Sequence, residues 1–144
     1  MIIVTDTSAL FAAFDASQPD HRGAVAIMEK ELLAISPLVI TELDHLVHRD
    51  LGYDATMQIM RALNTRMKTG RYKLAELAPN DLIAAHDVRE KYEGLKLDLA
   101  DTVGVVLAAR YKTDRIFTLD QRDFRAITPL SPEYDAFRIL PTDS

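Results

Sequence analysis

Short apolar runs that alternate with helical segments are the feature that most narrows the possible folds of this chain. Residues 2–4 and 116–119 are short runs rich in β-branched side chains, and an aspartate follows each of them within two residues. Such runs are typical of buried strands, while the segments between them repeat apolar residues at helical spacing. This alternation favours an α/β fold with a parallel sheet that helices cover on both faces.

The predicted elements extend along almost the whole chain. Strands are predicted over residues 2–4, 34–36, 72–74, 116–119 and 137–140. Helices are predicted over residues 7–15, 19–33, 54–68, 79–92 and 99–111, with a short helical turn over 120–124. A further long helix is predicted between Pro37 and Gly52.

The composition is that of one globular domain, which we predict to span residues 1–144. Of the 144 residues, 48% are hydrophobic, enough for one core but not for a second domain of ordinary size. The longest apolar run, residues 103–109, is far shorter than the ~20 residues of a membrane span, and residues 1–4 lack the basic start of a signal peptide. The absence of cysteine excludes disulfides and thiolate chemistry and suits a reducing cytoplasm, where we expect the protein.

The charge is acidic overall but unevenly distributed. The chain has 22 acidic and 17 basic residues, which argues against a protein that coats nucleic acid regardless of sequence. Residues 55–75, here called the basic segment, contain no acid. Its basic residues are Arg61, Arg66, Lys68, Arg71 and Lys73. With Tyr72 available for stacking, this segment is either a rim that binds nucleic acid or an ordinary solvated helix face.

Acidic residues stand where the predicted strands end. Asp6 follows the first strand, Asp120 directly follows the fourth, and Glu42 lies in the helix after the second. Asp98 and Asp101 begin an apolar helix, three residues apart and therefore on one face. In an open parallel sheet the site lies beyond the carboxyl ends of the strands, so these side chains can point into one crevice.

Crowded carboxylates repel one another and raise one another's pKa unless a divalent cation neutralises them. Oxygen ligands, without cysteine and without a histidine pair at ligand spacing, suit Mg²⁺ or Mn²⁺ rather than zinc. Each acid also has a purely structural interpretation. Asp98 and Asp120 stand where an N-cap is expected, with an acid three residues later, and Asp6 precedes a helix. The pattern of acids alone leaves both interpretations open.

Four motifs contain these acids. The motifs are Ile-Val-Thr-Asp-Thr-Ser-Ala-Leu at residues 3–10, Ile-Ser-Pro-Leu-Val-Ile-Thr-Glu-Leu at 35–43, Leu-Asp-Leu-Ala-Asp-Thr at 97–102 leading into Leu-Ala-Ala at 107–109, and Ile-Phe-Thr-Leu-Asp-Gln-Arg-Asp-Phe at 116–124. They resemble the motifs of PIN domains, and more narrowly those of the VapC toxins of bacterial type II toxin–antitoxin modules. Each motif is short, but all of them occur in the family's order across nearly the whole chain.

The resemblance implies a three-layer α/β/α PIN-like fold with a central, mostly parallel sheet, and a ribonuclease that depends on Mg²⁺ or Mn²⁺. By motif match, the catalytic acids are Asp6, Glu42, Asp101 and Asp120, and the metal ligands among them are Asp6, Asp101 and Asp120. Asp101 is preferred over Asp98 because the family's third acid directly precedes the small residue of the apolar helix. That residue is Thr102 here, where alanine is usual. The secondary acids are Asp98 and Asp123, and Ser8 and Thr118 match the family's polar residues beside the metal.

The chemistry implied by the resemblance is hydrolysis of RNA phosphodiester bonds, which leaves a 5′-phosphate and a 3′-hydroxyl. Glu42 would position or deprotonate the attacking water, or help to hold a second ion. The scattered histidines, His21, His45, His48 and His86, are expected to have surface or core roles. The family also implies an RNA substrate, a homodimer, and a cognate antitoxin whose C-terminal segment blocks the acids, with no membrane partner.

Three other classes compete with this interpretation. A response-regulator receiver domain also has a doubly wound sheet and acids at strand ends, but it needs a lysine after the last strand, and Lys112 comes well before that strand. A haloacid-dehalogenase-like phosphatase needs Asp-x-Asp after the first strand, where this chain has Asp6, Thr7 and Ser8. A PIN fold that binds without catalysis is disfavoured because all the core acids are present.

Overall fold

Parallel pairing of five short strands organises the molecule, which a computed structural model describes over residues 2–144. The strands are β1 Ile2–Thr5, β2 Leu32–Ile35, β3 Tyr72–Leu74, β4 Arg115–Phe117 and β5 Arg138–Leu140. They lie in the order β3-β2-β1-β4-β5, and every neighbouring pair is parallel. The helices are α1 Thr7–Phe14, α2 His21–Lys30, α3 Pro37–Leu51, α4 Tyr53–Lys68, α5 Pro79–Lys91, α6 Leu99–Arg110 and α7 Gln121–Ala126, with a 3₁₀ turn at Glu93–Leu95. The predicted α/β fold with a parallel sheet is confirmed.

The strand order reverses at β1. The chain proceeds from β1 outward to β2 and β3, and then returns to the other side of β1 to form β4 and β5. Val4 is paired with Ile116 and Thr5 with Phe117, so the residues that follow β1 and β4 emerge side by side. Such a point of reversal opens a crevice at the carboxyl ends of the strands, and this crevice is where open α/β sheets bind their ligands.

Two apolar cores cover the two faces of the sheet. Ile3 and Phe117 pack in one core with α1 to α4, while Val4 and Ile116 pack in the other with α5 to α7. Successive strand residues point to opposite faces, so strands buried on both sides are apolar throughout rather than alternating with polar residues. Within residues 2–144, no helix combines the length and the apolar character needed to cross a membrane.

The boundary between α2 and β2 differs from the prediction. A helix was predicted through residue 33, but α2 ends at Lys30, and Leu32 and Leu33 pair with β1 in the sheet. A short apolar run fits a helix or a strand equally well in isolation, so its pairing with a neighbouring strand decides. Ser36, predicted as the last residue of this strand, instead caps α3, where its hydroxyl accepts a hydrogen bond from Leu38 N at 3.1 Å.

Replacement of Tyr72 tests the packing of the first core. Tyr72 is 2% exposed, and its buried hydroxyl has no hydrogen-bond partner among residues 2–144. Burial raises the pKa of this hydroxyl to about 12. Because an unpaired buried hydroxyl does not stabilise the fold, we expect Tyr72→Phe to keep the free energy of unfolding in urea or to raise it by up to ~1 kcal/mol. Tyr72→Ala, which removes the ring, should lose ~3–5 kcal/mol. A clear loss of stability in Tyr72→Phe would mean that the hydroxyl has a partner.

Candidate active site

Asp6 is held where β1 meets α1. Its backbone N–H donates to the carbonyl of Phe117 at 2.9 Å, which continues the pairing of β1 with β4 one residue beyond the strand. Although Asp6 occupies the N-cap position of α1, its carboxylate does not cap the helix, because no backbone N–H of that helix donates to it. The carboxylate lines the crevice instead. The structural interpretation of Asp6 as a helix cap is therefore wrong.

Two hydroxyl groups hold the Asp6 carboxylate in place. Thr118 Oγ1 and Ser8 Oγ donate to Asp6 Oδ2 at 2.8 and 2.9 Å. Each hydroxyl also accepts a hydrogen bond from the backbone of the segment after β4. Asp120 N donates to Thr118 Oγ1 at 2.9 Å, and Leu119 N donates to Ser8 Oγ at 3.0 Å. The hydroxyls thus connect the two strand ends and fix Asp6 relative to Asp120.

Asp98 and Asp120 are helix caps and also belong to the crevice. Asp98 Oδ1 accepts from Asp101 N at 2.8 Å at the start of α6, and Asp120 Oδ1 accepts from Asp123 N at 3.4 Å at the start of α7. Capping uses one oxygen of each carboxylate and leaves the other available. Asp98, Asp101 and Asp120 all line the crevice. The structural interpretation of Asp98 and Asp120 as helix caps is therefore confirmed, and capping does not remove them from the crevice.

Burial and mutual repulsion disfavour ionisation of this cluster. One carboxylate oxygen from each of Asp101, Asp120 and Asp123 lies within 4.8 Å of the others. Burial, followed by the charges of Asp6, Asp98 and Asp120, raises the pKa of Asp101 to about 9. Burial and the charge of Asp120 also raise the pKa of Asp123, and among residues 2–144 its buried Oδ1 has no hydrogen-bond partner. Oxygens placed in this way need protons or a cation to balance their charge.

Glu42 approaches the same crevice from α3. Thr7 Oγ1 donates to Glu42 Oε2 at 3.4 Å. Burial raises the pKa of Glu42, and the charges of Asp98 and Asp6 add to this effect. A raised pKa moves a carboxylate toward the range in which it can accept a proton near neutral pH.

These side chains line one cleft of about 560 Å³, here called the acid cleft. Its lining residues are Asp6, Thr7, Ser8, Thr41, Glu42, His45, Leu46, Asp98, Asp101 and Asp120. The structure thus brings together all the acids predicted as catalytic, and it places Asp123 beside Asp120 and Thr118 against Asp6. Sequence reasoning missed His45 as a cleft residue. The available signal was its spacing of three residues from Glu42 on one helix.

The basic segment lies away from the acid cleft. Arg71 immediately precedes β3, at the amino end of the sheet, whereas the acids follow the carboxyl ends of β1 and β4. Arg71 donates to the carbonyls of Met28 and Glu29 at the end of α2, and Arg66 Nη1 lies 4.0 Å from Met28 Sδ. Tyr72 is buried, so the prediction that it is available for stacking is wrong.

The remaining basic residues of this segment face solvent. Arg61 and Lys68 are exposed on α4, and Lys73 is exposed on β3 with its Nζ 5.4 Å from the centroid of the Tyr111 ring. None of Arg61, Arg66, Lys68, Arg71 and Lys73 lines the acid cleft. The predicted nucleic-acid rim therefore supplies no side chain to the cleft lining, and its Arg66 and Arg71 lie toward the amino end of the sheet.

Comparison with known proteins identifies the family. Residues 3–128 match the PIN domain family. The chain is 38% identical over 141 residues to Ribonuclease VapC26 of Mycobacterium tuberculosis, and this alignment covers 96% of the chain and 100% of that protein. This chain belongs to the VapC family of PIN-domain ribonucleases.

Solved structures of VapC20, of VapBC2 and of a further toxin–antitoxin complex share the fold. The crystal structure of Mycobacterium tuberculosis VapC20, a toxin that cleaves the sarcin–ricin loop, superimposes with a TM-score of 0.74 at 16% identity over 85% of this chain and 92% of that chain. VapBC2 from Rickettsia felis, bound to a DNA fragment from its promoter, superimposes with a TM-score of 0.68 at 14% identity, over 96% of this chain and 98% of that chain. A toxin–antitoxin complex from Klebsiella pneumoniae superimposes with a TM-score of 0.62 at 19% identity, over 92% of this chain and 98% of that chain.

Membership in the VapC family decides against the receiver and phosphatase alternatives. The strand order points the same way, because receiver domains have the order 2-1-3-4-5, in which the reversal falls between the first and third strands. Here the reversal falls between β1 and β4.

Thr118→Val tests the link between the two strand ends in this VapC-family protein. Thr118 is fully buried, and valine has its shape but neither donates to Asp6 nor accepts from Asp120 N. We expect the free energy of unfolding in urea to fall by ~1–3 kcal/mol, because a backbone N–H loses its partner. Thr118→Ser keeps the hydroxyl and should lose less. A loss in Thr118→Ser at least as large as that in Thr118→Val would contradict this expectation, because serine keeps the hydroxyl and loses only the methyl group.

Asp101→Asn tests the cost of burying a carboxylate among the other acids of the cleft. The pKa of Asp101 is about 9 in the folded protein against an ordinary value of 3.8, so the folded state holds a proton that the unfolded chain releases between these pH values. Without metal, the free energy of unfolding should therefore fall as the pH rises from about 4 to about 9. Asp101→Asn removes this pH-dependent loss of stability. In EDTA at pH 8 we therefore expect the melting temperature of the variant to exceed that of the original chain by a few degrees, since 1 kcal/mol corresponds to ~4 °C.

The matched control for Asp101→Asn is Asp44→Asn, which removes the same charge from an exposed position on α3. Both variants should be compared at pH 5 and pH 8. A stabilisation of similar size in the control would assign the effect to net charge rather than to the acid cleft.

Proposed function

We propose that this chain is a metal-dependent endoribonuclease, the toxin of a toxin–antitoxin module, which hydrolyses RNA phosphodiester bonds at Asp6, Glu42, Asp101 and Asp120. The observation that carries the proposal is the convergence of these carboxylates at the reversal between β1 and β4, where burial and repulsion raise the pKa of Asp101 to about 9. Carboxylates are rarely crowded to this extent without a charge that balances them.

The donor set fits Mg²⁺ or Mn²⁺. All the candidate ligands are carboxylate oxygens, and Asp123 lies beside Asp120. The buried Oδ1 of Asp123 makes no hydrogen bond among residues 2–144 and lies 3.7 Å from Arg122 Nε. Asp6, Asp101 and Asp120 are the residues that would hold the ion, with Asp123 next to them. A bound divalent cation supplies charge neutralisation at the phosphate and lowers the pKa of a water molecule.

The protein side chains have distinct roles in this proposal. Glu42 accepts the proton of the attacking water, a role to which its raised pKa is suited. Ser8 and Thr118 orient the Asp6 carboxylate through their hydroxyl hydrogen bonds. Water attack at phosphorus breaks the bond to the 3′-oxygen and leaves a 5′-phosphate and a 3′-hydroxyl.

The partners follow from the same family. VapBC2 of Rickettsia felis and the Klebsiella pneumoniae protein were solved as toxin–antitoxin complexes. We propose that a cognate antitoxin covers the acid cleft of this chain with its C-terminal segment, and that the chain forms a homodimer. The RNA target is a defined site rather than any RNA, consistent with the net charge of -5.

Asp6→Asn tests the catalytic assignment. The substitution keeps the shape of the side chain but removes its charge, so cleavage of total cellular RNA with Mn²⁺ or Mg²⁺ should fall ~100-fold or more. EDTA should abolish cleavage by the original chain. Asp44→Asn, the exposed control on α3, should cleave normally. Undiminished cleavage by Asp6→Asn would overturn the assignment, and no metal-dependent cleavage by the original chain would favour a PIN fold that binds without catalysis.

A further inference from the structure

The acid cleft is rich in hydrogen-bond acceptors and poor in donors. Five of its lining side chains are carboxylates, those of Asp6, Glu42, Asp98, Asp101 and Asp120. An RNA strand also presents acceptors, the phosphate oxygens, to any protein that binds it. A divalent cation can balance the phosphate at the site of cleavage, but the neighbouring phosphates still need donors from the protein.

The hydroxyl groups that line the cleft are already committed as donors within the protein. Ser8 Oγ donates to Asp6 at 2.9 Å, and Thr7 Oγ1 donates to Glu42 at 3.4 Å. Thr41 Oγ1 donates to the carbonyl of Pro37 at 3.1 Å within α3. None of these hydroxyl protons is free for a substrate.

His45 is the exception on the cleft wall. It is exposed on α3, and within residues 2–144 its imidazole makes no hydrogen bond and no ion pair. It is also the only side chain in the described lining of the acid cleft that can carry a positive charge. Three residues separate it from Glu42, which places it roughly 4.5 Å further along the helix axis and on the same face.

No lysine or arginine among residues 2–144 lines the acid cleft. In the basic segment, Arg66 and Arg71 contact Met28 near the end of α2. Arg49, Arg110, Arg115 and Arg125 are each paired with an acidic side chain. Arg122 is 82% exposed beside Asp123, outside the cleft lining. His45 is therefore the donor that the cleft itself offers.

We infer that His45 is a substrate-binding residue, which donates a ring N–H to a phosphate oxygen of the RNA strand next to the cleaved bond. This inference rests on the proposed ribonuclease function and adds a residue to it. The neutral imidazole already carries one N–H, so the contact does not require protonation. Because α3 carries both Glu42 and His45, the helix sets the distance between the site of water activation and this phosphate contact.

The test is the rate of total-RNA cleavage with Mn²⁺ as a function of RNA concentration. We expect the RNA concentration that gives half-maximal rate to rise roughly 10-fold or more in His45→Ala, with a smaller change in the maximal rate. His45→Gln, which keeps an N–H donor, should recover part of the loss. The matched control is His48→Ala on the same helix, since His48 packs edge-on against Tyr53 at 6.2 Å between ring centroids and does not line the cleft.

A second measurement separates binding of RNA from damage to the site. The rise in melting temperature on addition of Mn²⁺ should be the same for the original chain, His45→Ala and His48→Ala. An unchanged half-saturating RNA concentration in His45→Ala, or loss of its response to Mn²⁺, would overturn the role of His45 while the ribonuclease function stands. Absence of metal-dependent cleavage by the original chain would overturn the proposed function, and the role of His45 with it.

Discussion

The parallel pairing of β1 with β4 brings Asp6 and Asp120 to the same place, and the organisation of the site depends on this contact. The Asp6 N–H bonds to the carbonyl of Phe117, and the hydroxyls of Ser8 and Thr118 join the two strand ends. Helix α6 then contributes Asp98 and Asp101 at its first turn, with the positive end of the helix dipole facing the carboxylates. Without the strand contact these acids would have no common cleft.

The crowded carboxylates of the acid cleft lower the stability of the fold, and the packing of the two apolar cores offsets this loss. Burial raises the pKa of Asp101 and Glu42, and repulsion between neighbouring carboxylates raises it further. Apolar packing on both faces of the sheet, with side chains such as Leu33 and Leu107 fully buried, holds the strand ends together against this repulsion. In the proposed function, a bound cation would offset this repulsion, and metal binding would then stabilise the folded state.

Much of this architecture was predictable from local patterns, and the exceptions share one physical cause. Asp6 and Asp120 were recognisable because they follow short apolar runs whose ends a parallel sheet brings together. The match to the family's motifs selected Glu42 and Asp101 with them. The α2–β2 boundary was misplaced because Leu32 and Leu33 suit either element until they pair with β1. The basic segment was continuous in sequence, but α4 and β3 carry it to the amino end of the sheet and bury Tyr72.

The sequence by itself determined the alternation of strands and helices, the position of the acids after the strands, and the motifs of the VapC family. These properties are local, because residue order and side-chain chemistry suffice for them. Only the tertiary structure decided which oxygen of each acid is free, which cations lie far from the cleft, and that His45 lines it beside Glu42. Those properties depend on contacts between residues distant along the chain, such as Thr118 with Asp6 and Thr7 with Glu42, and no local pattern encodes them.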